Sequence, residues 1–172
     1  MSECINVYCD ESCHLEHDGI NAMGLGAVYC VSGKIAEANR RVKEIKLRNG
    51  VAATAEVKWT KVGPAKVQLY TDLVNYFFDD DDLHFRCLLV PDKSLLRHED
   101  FNQSHNEWYY KMYFEMLKSV FWPRNSYKVY IDIKDTHSAQ RVRKLQDVCR
   151  NDLYDFSHNI IRASLKIRSR VR

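Results

Sequence analysis

The sequence predicts an α/β fold, a mixed sheet with helices packed on its faces. Short β-rich runs such as residues 5–9 and 127–131 recur along the chain. Between them lie longer stretches whose apolar residues return at helical spacing. Strands that alternate with helices in this way assemble as a sheet layer covered by helices. With 172 residues, 45 % of them hydrophobic and 28 % charged, the chain has the composition of an ordinary globular domain. A chain of that size buries roughly 70 % of its unfolded surface, enough for one real core. A disordered chain, a collagen-like chain and a small disulfide scaffold are thereby excluded, and a single domain over residues 1–172 is expected.

The elements follow in order. Residues 5–9 alternate as a strand and end at the polar cluster Asp10, Glu11 and Ser12. Residues 24–31 read as a second strand, and the loop with Asp18 and Gly19 makes the two an antiparallel hairpin. Ile35, Ala38, Val42, Ile45 and Leu47 mark a helix over 34–48, stopped by Asn49 and Gly50. Residues 56–59 form a short extended segment. Pro64 opens a helix with Val67, Tyr70, Leu73, Val74 and Phe77 on one face. The four carboxylates of 79–82 make a solvated loop, and 83–90 a strand closed by Pro91. Residues 107–120 are a strongly aromatic helix, 127–131 a strand, 138–153 a helix, and 160–171 a last strand or an extended arm.

Six cysteines sit in a chain with no visible export signal, which points to reduced thiols and a cytoplasmic protein. No window approaches 18 uncharged apolar residues, so no membrane partner is expected. Charge is uneven: residues 1–140 carry 17 basic and 20 acidic side chains, and 141–172 carry nine and three. A basic end on an acidic body suits a polyanion partner. Arg162, Lys166, Arg168, Arg170 and Arg172 all have even numbers and would line one face of a strand. Such a row either binds phosphates or guards a sheet edge against aggregation.

The acids carry the chemistry. Asp10 and Glu11 follow the first strand, Glu56 opens the segment before Trp59, and Asp132 follows the strand 127–131 with Asp135 three residues on. In open α/β sheets, sites collect at the carboxyl ends of strands. Converging carboxylates repel one another unless a cation holds them. Mg²⁺ takes such oxygens together with substrate phosphates, and a pair of ions can activate water against a phosphodiester. Because neighbours on an extended chain point to opposite faces, Glu11 is expected to support Asp10 rather than join it.

Residues 5–12, Ile-Asn-Val-Tyr-Cys-Asp-Glu-Ser, resemble the opening Asp-Glu-Ser-Gly motif of the "domain of unknown function 3800" family. Glu56-Val57-Lys58 resembles its Glu-x-Lys motif, and Tyr130-Ile-Asp132-Ile-Lys-Asp135-Thr136 its later strand-Asp segment. The three stand in the family's order over essentially the whole chain. The resemblance implies an RNase H-like fold and a nuclease or related phosphoryl-transfer enzyme using two Mg²⁺ or Mn²⁺ ions. It makes Asp10, Glu56 and Asp132 the catalytic metal ligands, with Glu11 and Asp135 beside them. Lys58, Arg162, Lys166 and Arg168 are then the contacts to nucleic acid. Two departures stand out. The family's glycine is Cys13 here, and the family's following helix with a further acid would lie past Arg172, which makes this chain look truncated. A catalytically incomplete binding or assembly module on the same fold is therefore the alternative, and weak or no turnover is expected.

Other residues have simpler readings. Cys9, Cys13, His14 and His17 offer zinc-type donors, but their spacing fits no common zinc motif. His98, Glu99, Asp100, His105 and Glu107 read as helix capping and exposed surface. The aromatic residues of 107–122 exceed what one buried face needs, which offers a surface to a second copy of the chain or to bases.

Overall fold

The computed structural model describes residues 3–122, 125–131 and 138–152. Four strands, β1 (Cys4–Ser12), β2 (Met23–Val31), β3 (His84–Val90) and β4 (Ser126–Tyr130), form one mixed sheet in the order β3-β2-β1-β4. The helices are α1 (Ile35–Arg48), α2 (Val67–Asp79), α3 (His105–Lys118) and α4 (Ser138–Asp152). The expected α/β class with a mixed sheet holds, and the expected hairpin strands are neighbours. The arm expected over 160–171 lies outside the described residues.

The chain forms two compact units, residues 1–29 with 85–172, and residues 30–84. In the first, alternation along β1 and β2 sends Val7, Leu25 and Ala27 to one face of the sheet, all of them buried completely. Tyr127 and Val129 of β4 join them, and α3 lays Tyr109, Tyr113 and Met116 against that face. Leu145 and Cys149 of α4 complete the cluster. The aromatic excess of α3 thus has two partners within the chain: rings facing the sheet, and Tyr110 and Phe114 lining a cavity of about 350 Å³ with Lys144, Leu145 and Val148 of α4. Trp122, past the helix end, is exposed.

β4 pairs with β1 in parallel, Cys4 opposite Ser126 through Tyr8 opposite Tyr130. Parallel neighbours need a long crossover, and everything from β2 to α3 supplies it. The chain therefore leaves β1 toward β2 and β3 on one side and returns on the other. That reversal makes the carboxyl end of β1 the topological switch point of the sheet.

In the second unit, α1 packs on α2. Ile35, Ala38, Val42 and Ile45 turn inward as their spacing requires, while Leu47 stays exposed. The face expected for α2 is rotated: Leu69 takes the buried place, and Val67 and Val74 are exposed. Asp72 explains the rotation. Its carboxylate accepts from Arg48 and Asn49 at the end of α1, both at 2.9 Å, and from Gln68 at 2.8 Å. These donors hold its carboxyl below the usual range, Asn49 contributing most.

A candidate active site at the end of the central strand

β1 does not stop at Cys9. It runs to Ser12, so Asp10 and Glu11 lie inside the strand rather than in a turn after it. The cause is a long-range contact: the Tyr113 hydroxyl on α3 donates to Glu11 Oε2 at 2.9 Å and holds that stretch extended. The Glu11 side chain is 7 % exposed, and His14 Nδ1 stands 3.8 Å from its other oxygen. Around it, burial pushes the Cys9 thiol up to about 12, helped by the Glu11 and Asp10 charges. Burial likewise raises Tyr113, with Tyr109 and Glu11 adding to it, so the phenol stays protonated and remains a donor.

Asp10 is exposed, and its Oδ1 accepts the Glu11 backbone N–H at 3.0 Å. Alternation puts it on the same face as Asn6 and Tyr8. The Tyr8 and Tyr130 rings stack at 4.7 Å with 7° between their planes, and Asn6 Nδ2 donates to both hydroxyls at 3.3 and 3.5 Å. Beside Asp10 on β2 lies Gly26. A Cβ there would meet the Phe85 ring at 3.3 Å and the Asp10 carbonyl oxygen at 3.9 Å, so the glycine lets an aromatic ring lie close to the carboxylate strand.

Glu56 belongs to the second unit. The short extended segment expected around it is a loop that passes at Trp59 into a 3-10 turn. Its carboxylate pairs with Lys58 Nζ at 3.0 Å, with both side chains largely exposed. The Lys58 carbonyl accepts the Tyr70 hydroxyl at 2.5 Å. Asp132, Asp135, Arg162, Lys166 and Arg168 lie outside the described residues. As a metal donor set, Asp10 fits a hard divalent ion, being an exposed carboxylate oxygen at a strand end. Glu11 is committed to Tyr113, and Glu56 to Lys58.

Three groups escaped the sequence reading. Lys93, which the sequence did not single out, is 8 % exposed. Its ammonium donates to the carbonyls of Cys13 and Leu15 at 2.7 and 2.6 Å and to Asp18 at 2.8 Å, pinning the loop that follows Asp10. His98 and His105, assigned above to capping and exposed surface, are instead half-buried against each other and Trp108. The capping is done by Ser104 and Glu107, which form a reciprocal capping box at the start of α3. Cys9, Cys13, His14 and His17 do not gather as a donor cluster among the described residues, whereas Glu16, His98 and His105 do.

Sheet order, the parallel β1–β4 pair and the flanking helices define an RNase H-like α/β fold. A solved structure supports that class: a chain of the complex of PCNA with RNase HII from Archaeoglobus fulgidus superposes with a TM-score of 0.53 at 13 % identity. The match covers 95 % of this chain and 63 % of that one, so this chain spans less than two thirds of its neighbour's length. No protein-family model and no curated protein sequence matches the chain. Among the described residues no helix is long and apolar enough to cross a membrane.

Proposed function

We propose that the protein is a divalent-metal-dependent phosphodiester hydrolase acting on nucleic acid, with Asp10 and Asp132 holding the metal. The observation that carries this reading is the place of Asp10. It is an exposed carboxylate at the carboxyl end of the strand where the sheet reverses direction, which is where open α/β sheets bind ligands. The RNase H-like fold and the resemblance of three acidic motifs support it. The β1–β4 pairing is described as far as Tyr8 opposite Tyr130, and in the sequence Asp10 follows Tyr8 by two residues as Asp132 follows Tyr130. Two carboxylates brought together there would repel each other strongly without a cation between them. Mg²⁺ or Mn²⁺ at such a pair would hold phosphate oxygens and supply an activated water. Lys58, Arg162, Lys166 and Arg168 are proposed as contacts to the nucleic-acid backbone, with Glu11 and Asp135 orienting their neighbours. The Glu56–Lys58 ion pair favours a second reading, a binding module whose acid cluster is incomplete.

Cleavage assays on single- and double-stranded DNA and RNA, with and without Mn²⁺, separate the two. Any metal-dependent cleavage, expected to be weak, should fall at least about 100-fold in Asp10→Asn. Cleavage indifferent to that substitution would overturn the assignment. Metal and nucleic-acid binding without turnover would favour the second reading.

A further inference from the structure

The loop after β1 and the start of α3 bring together a second set of metal donors. His105 comes seven positions after His98, and the backbone between them is folded tightly. The Phe101 and Gln103 amides both donate to the His98 carbonyl, Asn102 takes a left-handed conformation at φ 44°, and Ser104 caps the helix that His105 begins. This turn sets His98 Nε2 and His105 Nδ1 3.1 Å apart. From the other side comes Glu16, whose Oε1 is 4.0 Å from His98 Nε2. The three donor atoms lie within 4.8 Å of one another.

We propose that Glu16, His98 and His105 form a metal centre for a zinc-class transition ion, fastening the loop that follows Asp10 to the start of α3. Four features argue for it. The donors are two imidazoles and one carboxylate, a set that suits zinc and leaves a fourth position for water. The nitrogen pair is already close to the edge of a tetrahedron with Zn–N bonds of about 2.0–2.1 Å, an edge of roughly 3.3 Å. His105 Nε2 stands 2.9 Å from the His14 carbonyl oxygen, which can only accept. The ring proton is therefore on Nε2, and the Nδ1 lone pair is aimed at the site, as the outer hydrogen bond of a metal-bound histidine requires. Finally, the loop bearing Glu16 is held by Lys93 through Cys13, Leu15 and Asp18, so that ligand sits on a fixed support. On the far side of His98, Nδ1 has no hydrogen-bond partner among the described residues. That ring can carry its proton there and offer Nε2 to a metal. The exposed Glu16 closes the third corner by a side-chain rotation.

This centre is independent of the carboxylate site, and its test keeps the two apart. The chelator-stripped full chain is titrated with Zn²⁺ by calorimetry in the presence of excess Mg²⁺. One equivalent of Zn²⁺ is expected to bind, and to raise the melting temperature, as any ligand specific for the folded state does. His98→Gln and His105→Gln should each weaken binding at least about 100-fold, and Glu16→Gln about tenfold. Asp10→Asn and Cys13→Ser should leave it unchanged. Co²⁺ in place of Zn²⁺ should give a spectrum without a thiolate charge-transfer band. Circular dichroism checks that each variant is folded. Glu16→Gln, at an exposed position, carries the test if a histidine variant is not. Failure of the wild-type chain to bind Zn²⁺, binding that survives the histidine substitutions in folded protein, or a thiolate band would each overturn the proposal.

Discussion

The two units hold themselves together differently. In the first, Tyr113 and Tyr127 are sealed completely among apolar neighbours from the sheet, α3 and α4, and even the buried carboxylate, Glu11, is bound by one of those rings. In the second, Cys30, Ile45 and Leu69 are the buried apolar residues among those described, and Phe78 is 77 % exposed. There the end of α1 is tied to α2 by Asp72, and Lys46 reaches the Ala55 carbonyl at 2.9 Å to hold the loop before Glu56. Apolar burial contributes stability in proportion to area, whereas exposed polar bonds contribute a fraction of a kcal/mol each. The strand that carries Asp10 is therefore built on the stiff unit. The loop that carries Glu56 is built on the unit with the lower cost of local opening.

Truncating one aromatic ring in each unit should affect stability very differently. Tyr113→Ala should destabilise the protein by about 3–5 kcal/mol, the range for losing a large buried aromatic side chain. The upper end is expected, because Glu11 would also lose one of its hydrogen bonds inside the core. Phe78→Ala should fall within about 0.5 kcal/mol of wild type. Urea unfolding of both variants measures the difference. A loss above about 1.5 kcal/mol at Phe78 would mean that the second unit has a larger apolar core than its exposures indicate.

A smaller effect sharpens how the stiff unit fixes its loop. The Lys93 ammonium, with the Ile20 amide adding to it, holds the Asp18 carboxyl below its usual range. The unfolded chain therefore takes up the proton first as pH falls. Stability from this contact is present above the ordinary carboxylate pKa, about 3.9, and is lost as pH drops through the lower folded value. Wild type should have the higher urea midpoint near neutrality, and wild type and Asp18→Asn should converge at about pH 3. A gap that stays constant with pH would show that the aspartate acts through its Ile20 turn and not through Lys93.

The sequence revealed elements with strong local signals and missed contacts that depend on distance. Helical spacing placed α1 and α3, Gly50 marked the end of α1 and Pro64 the approach to α2, because those preferences act within a turn or two. β1 was cut short at Cys9 since three polar residues in a row look like a turn. Tyr113, which keeps them extended, lies 102 residues away. Lys93 was invisible as a buried clamp, for lysine in a polar stretch after proline is nearly always solvated. Of the candidate site, the opposite facing of Asp10 and Glu11 could be read from strand alternation. That Glu56 would sit on a loop beside Lys58 could not, since the four residues 56–59 are too few to show a periodicity. The two histidines showed no signal as a pair, because their meeting depends on the left-handed Asn102 between them.

The smallest expected effect concerns Cys13, where the resembling family has glycine. Its φ of 54° is in the left-handed region, which costs a residue with a Cβ roughly 1–2 kcal/mol. Asn102 adopts the same conformation at φ 44°, but asparagine tolerates it by local hydrogen bonding. The strain at Cys13 persists because Lys93 holds its carbonyl and that of Leu15, and the stiff core under β1 leaves the turn no room to relax. Cys13→Gly removes the Cβ clash and keeps the backbone acceptor. It also gives the unfolded chain more freedom, a loss of about 0.4–1 kcal/mol. The balance is a net gain of about 0.5 kcal/mol, read as a higher urea midpoint at unchanged slope. Asn102→Gly, the control, should show no comparable gain. An unchanged or lower midpoint for Cys13→Gly would mean that the cysteine side chain returns in packing what the backbone loses. The glycine of the resembling motif would then mark room for a ligand rather than relief of strain.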